Sequence, residues 1–175
     1  MITLVLGGAS SGKSRIAEEL AASLGGSVTY VATAVATPGD DDHAARIAAH
    51  RACRSSGWST VECTSVPDLP RHLRHIEGVA LVDSLGSWVA LQEDFDVEAE
   101  SSELLAALAG RKEPTILVSE EVGLAVHPPT EAGRRYVEGV GMLNQRIAAV
   151  ADRVLLVVAG RAIELPAVRP GRRPC

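Results

Sequence analysis

Short runs of apolar, mostly β-branched residues alternate along this chain with longer stretches of helical patterning. Runs that are apolar at every position suit strands buried on both faces, and their alternation with helices is the pattern of parallel βα units. Strands are predicted at residues 2–6, 28–32, 79–83, 115–119 and 154–159. A shorter extended piece is predicted at 59–63, and a final edge strand at 162–165.

Helices are predicted between these runs. Residues 13–24 are rich in Ala, Leu and Glu and stop at Gly25-Gly26, a fitting helix end. Residues 41–54 follow the acidic Asp40-Asp41-Asp42, which suits a helix amino terminus. Residues 130–150 form the longest candidate, with Thr130 as its cap. The acidic stretch 92–103 is predicted as a solvated loop running into a short helix at 104–108. Residues 166–175, rich in Pro and Arg, are predicted to be a flexible tail. The expected architecture is α/β: one domain over residues 1–165, built on an open, mostly parallel twisted sheet with helices on both faces.

At 175 residues the chain can bury a core of its own, and with 46% apolar but only 3% aromatic residues that core must be built from Val, Leu, Ile and Ala. A net charge of −5 argues against a nucleic-acid binder held by bulk electrostatics, so an anionic ligand needs a local basic cluster. Cys53, Cys63 and Cys175 form no C-x-x-C pair and read as reduced cytosolic thiols. No apolar run is long enough to span a bilayer, and a cytoplasmic location is the expectation.

The loop after the first strand defines the fold further. Gly7-Gly8-Ala9-Ser10-Ser11-Gly12-Lys13-Ser14 matches the full phosphate-loop pattern, with a predicted strand before it and a predicted helix after it. Glycines let backbone N–H groups converge on phosphate oxygens, and the helix that follows adds free N–H groups and its positive end. Lys13 places a compact charge on the β- and γ-phosphates, and the Ser14 hydroxyl can bind Mg²⁺. The chain has fifteen Arg and two Lys, so a lysine here points to a need for an ammonium and not a planar guanidinium. The fold is therefore expected to be that of a P-loop NTPase (RecA-like).

Asp83 ends the run Val79-Ala80-Leu81-Val82, which places it at the carboxyl edge of a central strand, where an acid can reach the Mg²⁺ of a phosphate-loop site. The alternative is a carboxylate that only caps the next helix. Arg46, His50 and Arg54 recur at i, i+4 spacing and share one helix face. Neighbouring arginines disfavour the imidazolium, and a neutral imidazole is a nucleophile, so the face could grip a polyphosphate while His50 attacks it. The alternative is a solvated basic face. His72 and His75 lie in a predicted surface helix, His127 in a loop, and no Cys/His set has zinc-site spacing.

These residues together resemble a known family, the bifunctional adenosylcobinamide kinase/adenosylcobinamide-phosphate guanylyltransferases of cobalamin biosynthesis. The likeness is collinear from Leu4 to about Gly160. It is carried by the loop at residues 4–15, by Tyr30-Val31-Ala32-Thr33-Ala34, and by Ala45-Arg46-Ile47-Ala48-Ala49-His50-Arg51 followed by Trp58-Ser59-Thr60-Val61-Glu62. Glu120-x-Val122-Gly123-Leu124, Leu143-Asn144-Gln145-Arg146 and Val157-Val158-Ala159-Gly160 complete it. The resemblance implies that His50 takes GMP from GTP as a covalent phosphoramidate and passes it to adenosylcobinamide phosphate. A preceding kinase step phosphorylates the aminopropanol hydroxyl of adenosylcobinamide. It also implies nucleotide contacts at Thr33, Ala34, Val35, Arg51, Ala52, Cys53, Arg54, Glu62 and Asp83, with GTP and ATP as substrates, Mg²⁺ at Ser14 and Asp83, and a homotrimer.

The chain departs from the family pattern at four places. Ser10 replaces an Arg usual in the loop, His43 stands where an acidic-Met pair is more usual, Ala90 where Asn is frequent, and Glu120 where Asn is typical. Other functions fit the loop alone: a kinase of another metabolite without a covalent intermediate, or a GTP-dependent switch. No Asn-Lys-x-Asp guanine-reading motif supports the second.

Overall fold

A computed structural model describes residues 1–34 and 57–167. The predicted helix at 41–54, with its Arg46–His50–Arg54 face, lies outside the described residues, as does the tail beyond residue 167. The elements are β1 (Ile2–Gly7), α1 (Lys13–Ser23), β2 (Val28–Ala32), β3 (Ser59–Glu62), α2 (Asp68–His75) and β4 (Val79–Asp83), then α3 (Leu85–Val89), a 3₁₀ turn (Glu93–Phe95), α4 (Glu98–Gly110), β5 (Thr115–Glu120), α5 (Glu131–Ala148), β6 (Arg153–Val158) and β7 (Arg161–Glu164).

The strands form one seven-stranded sheet in the order β3-β2-β4-β5-β1-β6-β7. All neighbours pair in parallel except β6 and β7. The antiparallel pair follows from its connection: Val158 faces Arg161, so the turn is the two residues Ala159 and Gly160, both with positive φ (51° and 73°). Two consecutive left-handed residues match the twist of a tight hairpin. This turn also ends β6 one residue earlier than the apolar run suggests.

Successive strand residues point to opposite faces, and the sheet is covered on both. On one face Leu4, Val31, Val82 and Leu117 pack against α2 (Leu69, Leu73), α3 (Trp88), α4 (Leu104, Leu108) and α5 (Val140, Leu143, Ile147). On the other, Val5, Tyr30, Leu81 and Val118 pack against Ala17 and Ala21 of α1. The small residues on α1 bring the helix close to the sheet directly behind the phosphate loop.

One prediction is corrected. Residues 98–103 are not solvated loop but the first two turns of α4, which starts at Glu98. The acidic residues mark the helix amino terminus: Asp96 accepts from the Glu98 backbone N–H at 2.9 Å, and Glu98 and Glu100 lie in the first turn, where negative charge is favoured. Ser101 is fully buried between them, so only part of this polar stretch faces water. Thr130 does cap α5, its hydroxyl accepting from the Gly133 N–H at 3.1 Å.

Arg111 ties the amino-terminal edge of the sheet together. Its guanidinium donates to the carbonyls of Leu73 (2.8 Å), Ile76 (2.6 Å) and Gly78 (2.8 Å) and to the Thr115 hydroxyl (3.0 Å). Removing it takes the donor from three carbonyls at a part-buried site. Arg111→Met is expected to cost about 2–3 kcal/mol and to lower the thermal midpoint by roughly 5–10 °C, read by circular dichroism. A shift below 1 °C would show that the bonds are replaced by solvent.

No helix among the described residues is long and apolar enough to cross a membrane.

Candidate nucleotide and transfer site

The parallel register brings five chain segments to one edge. Gly7 lies opposite Glu120 across β1 and β5, Asp83 opposite Val118 across β4 and β5, and Ala32 opposite both Asp83 and Glu62. The phosphate loop, the turn after β2, Glu62, Asp83 and Glu120 therefore share the carboxyl edge of the sheet, where open α/β sheets bind ligands. β5 is inserted between the loop strand and the Asp83 strand.

The loop is shaped by its glycines and braced from outside. A Cβ on Gly7 would overlap Ser11 Oγ and stand 2.9 Å from the Val157 carbonyl oxygen. Gly12 sits at φ 91°, and a Cβ there would meet Gly160 Cα at 3.3 Å. The Gly160 N–H donates to the Ser11 carbonyl at 2.8 Å, and Arg15 donates to the Gly160 carbonyl at 3.2 Å. The β6–β7 turn thus holds the loop in place before any ligand arrives.

The start of α1 is prepared for an anion. No side chain caps it, and its first turn holds no acidic residue. Its first N–H groups are therefore left for a ligand, with the positive end of an eleven-residue helix behind them. Gly8, Ala9 and Ser10 are exposed, and Ser11, Gly12, Lys13 and Ser14 are half-buried. Ser11 Oγ is buried without a hydrogen-bond partner among the described residues. The Lys13 side chain is only 13% exposed and curls over the loop, with Nζ 3.4 Å from the Gly8 carbonyl oxygen.

Asp83 is half-buried and oriented by the Tyr30 hydroxyl, which donates to Oδ2 at 2.7 Å. It is not the cap of the next helix. That role belongs to Ser84, whose side chain accepts from the Ser87 N–H. The capping alternative for Asp83 is thereby removed. Its carboxylate and the Ser14 hydroxyl are hard oxygen donors, the ligand type that Mg²⁺ prefers.

Thr33 is fully buried, and its hydroxyl donates to the Ser84 carbonyl at 2.6 Å. Its side chain therefore locks the turn after β2 to the turn after β4, and Ala34 beside it is half-buried. Glu62 is exposed at the end of the edge strand β3. Val35, His50, Arg51, Ala52, Cys53 and Arg54 lie outside the described residues.

Sequence reasoning assigned no role to Glu120. The structure puts its Oε1 3.7 Å from Lys13 Nζ, while Ser84 Oγ donates to Oε1 at 2.9 Å and the Gly86 N–H donates to Oε2 at 3.0 Å. The signal was available, since Glu120 ends an apolar strand just as Asp83 does. Tyr136 crowds the same spot. Its hydroxyl pKa is pushed up to about 12 by burial and then by the Glu120 charge, so it stays protonated. Cys63 is not a candidate nucleophile: burial, reinforced by Asp68, pushes its thiol to about 12.

The family model described as cobinamide kinase / cobinamide phosphate guanyltransferase matches residues 3–165. The bifunctional adenosylcobalamin biosynthesis protein CobP of Pseudomonas aeruginosa is 44% identical over 173 residues, covering 94% of this chain and 97% of that protein. The bifunctional protein CobU of Salmonella typhimurium is 34% identical over 183 residues, covering 94% and 99%. Among solved structures, the flagellar accessory protein FlaH of Methanocaldococcus jannaschii superposes with a TM-score of 0.50 at 16% identity, over 92% of this chain and 74% of that one, a likeness of fold alone.

Proposed function

The chain belongs to the cobinamide kinase / cobinamide phosphate guanyltransferase family, and from that premise we propose how its residues divide the two transfers. It phosphorylates adenosylcobinamide and transfers GMP from GTP to adenosylcobinamide phosphate, giving adenosylcobinamide-GDP and pyrophosphate. The observation that carries the nucleotide half is the preformed loop: an uncapped α1 with Lys13 folded over it, facing Asp83 across the carboxyl edge.

In the kinase step the backbone of Gly7–Ser14 and the α1 amino terminus hold the phosphates. Lys13 neutralises charge as it develops on the transferring group. Ser14 and Asp83 would hold Mg²⁺, which supplies charge neutralisation and alignment of the phosphate oxygens. Tyr30 keeps the Asp83 carboxylate turned for that purpose.

In the guanylyl step the His50 imidazole attacks the α-phosphorus of GTP, the bond to the bridging oxygen breaks, and pyrophosphate leaves. The phosphate oxygen of adenosylcobinamide phosphate then displaces His50. Arg51, Ala52, Cys53, Arg54, Glu62 and the turn at Thr33, Ala34 and Val35 make the nucleotide contacts. The motif resemblance around His50 supports this assignment, and so do the bifunctional relatives that match over 94% of the chain. The same reading includes a homotrimer. Exposed apolar side chains at Leu124, Val126, Val158 and Ile163 provide surface for a second copy to cover.

The test is product analysis. Protein, adenosylcobinamide, ATP, GTP and Mg²⁺ are expected to yield adenosylcobinamide-GDP and one pyrophosphate per guanylyl transfer. Phosphorylated product that never accepts GMP would reduce the chain to a simple kinase without a covalent intermediate.

A further inference from the structure

Glu120 stands where the family resemblance leads one to expect Asn, and its surroundings are built around a carboxylate. Two donors fix it from behind: Ser84 Oγ at 2.9 Å and the Gly86 N–H at 3.0 Å. Gly86 is required for that approach, because a Cβ there would overlap Oε2 and stand 2.6 Å from the Tyr136 hydroxyl. Its backbone is pinned as well, since Asn144 Nδ2 donates to the Glu120 carbonyl at 2.9 Å. In front, Oε1 lies 3.7 Å from Lys13 Nζ, and the side chain is 27% exposed.

Lys13 is the residue that meets the β- and γ-phosphates, so a carboxylate this close to its Nζ lies beside the phosphoryl group that is transferred. The Lys13 ammonium lies between the two anions and offsets their repulsion. An acceptor alcohol fits beside that bridge, with its O–H donating to the carboxylate and its oxygen lone pair aimed at the γ-phosphorus.

We propose that Glu120 is the catalytic residue that receives the acceptor hydroxyl in the kinase step and takes its proton. The proposal rests on the kinase reading given above. As the acceptor oxygen forms its bond to the γ-phosphorus, the bond from that phosphorus to the bridging oxygen breaks and the nucleoside diphosphate leaves with the electron pair. The hydroxyl proton passes to Oε1 or Oε2 of Glu120 and is later returned to solvent. An Asn at this position accepts the hydroxyl's hydrogen bond but does not take its proton. This chain therefore adds proton transfer to orientation.

The experiment compares wild type with Glu120→Gln, Glu120→Asn and Glu120→Asp in steady-state phosphorylation of adenosylcobinamide by ATP. The expected result is a fall in kcat of about 100-fold in the Gln and Asn variants, the lower end of general-base effects. Glu120→Asp is expected to recover part of it, and the nucleotide KM is expected to stay equal or fall because a negative charge has left the phosphate site. A role confined to holding Lys13 in place would raise the nucleotide KM together with any loss of kcat, and that result overturns the proposal. So does a kcat within threefold of wild type in Glu120→Gln. A wild-type protein that fails to phosphorylate adenosylcobinamide overturns the kinase reading itself, an outcome distinct from a working wild type with working variants.

Discussion

Lys13→Arg loses most nucleotide affinity even though it keeps the positive charge. The ammonium sits over the loop in a space it nearly fills, 13% exposed, 3.4 Å from the Gly8 carbonyl and 3.7 Å from Glu120. A guanidinium is planar and wider, and it directs its donors in a fixed fork. To enter, it must push back a loop that the β6–β7 turn braces through Gly160. Losing one charge-assisted contact to the phosphates costs roughly 1.5–3 kcal/mol, so the dissociation constant for ATP or GTP rises about 10–100-fold. Titration calorimetry with either nucleotide measures this directly. Affinity within threefold of wild type would show that the loop accepts any cation and that the chain's sparing use of lysine carries no information.

His50→Ala removes covalent attachment of GMP while nucleotide still binds the loop. A nucleophile cannot be replaced by orientation alone, so guanylyl transfer falls by at least about 10³-fold, the scale on which covalent machinery fails when its central group is deleted. Phosphorylation of adenosylcobinamide by ATP continues, because direct in-line transfer at the γ-phosphate needs no histidine. The measurement is paired: product phosphorylation and protein-bound GMP in the same preparation. Equal loss of both activities would mean that His50 serves the structure and not the chemistry.

The four central strands were legible because they are buried on both faces and are therefore mostly apolar. Val28–Ala32 and Val79–Asp83 match the expected strands to the residue, and no end of the others lies more than one residue away. The start of α4 was not legible, because Glu98, Glu100 and Glu103 read as solvated polarity until Leu104 and Leu108 show which side is buried. Likewise, the phosphate loop was readable because its ligand contacts are local: glycine, lysine and serine within eight residues. Asp83 was readable as an acid at the end of an apolar strand, but its freedom from capping depended on Ser84, a neighbour whose role appears only in the turn.

Glu120 was missed for a different reason. Its partners Lys13, Ser84 and Gly86 are far away along the chain, and only the order β4-β5-β1 sets them side by side. Seen in sequence it was merely a glutamate in place of an expected asparagine. In the folded sheet it is a carboxylate fixed by two donors and pointed at the loop lysine.

If the loop presents GTP to His50, GMP becomes covalently attached to the protein, and labelling reads that attachment. Wild-type protein is incubated with Mg²⁺ and GTP labelled at the α-phosphate, then denatured. The expected result is protein-bound label that acid releases and alkali does not, the behaviour of a phosphoramidate, and no such label in His50→Ala. GTP that binds without leaving any label on the wild-type protein would rule out a guanylylated histidine, and label that persists in His50→Ala would place the nucleophile elsewhere.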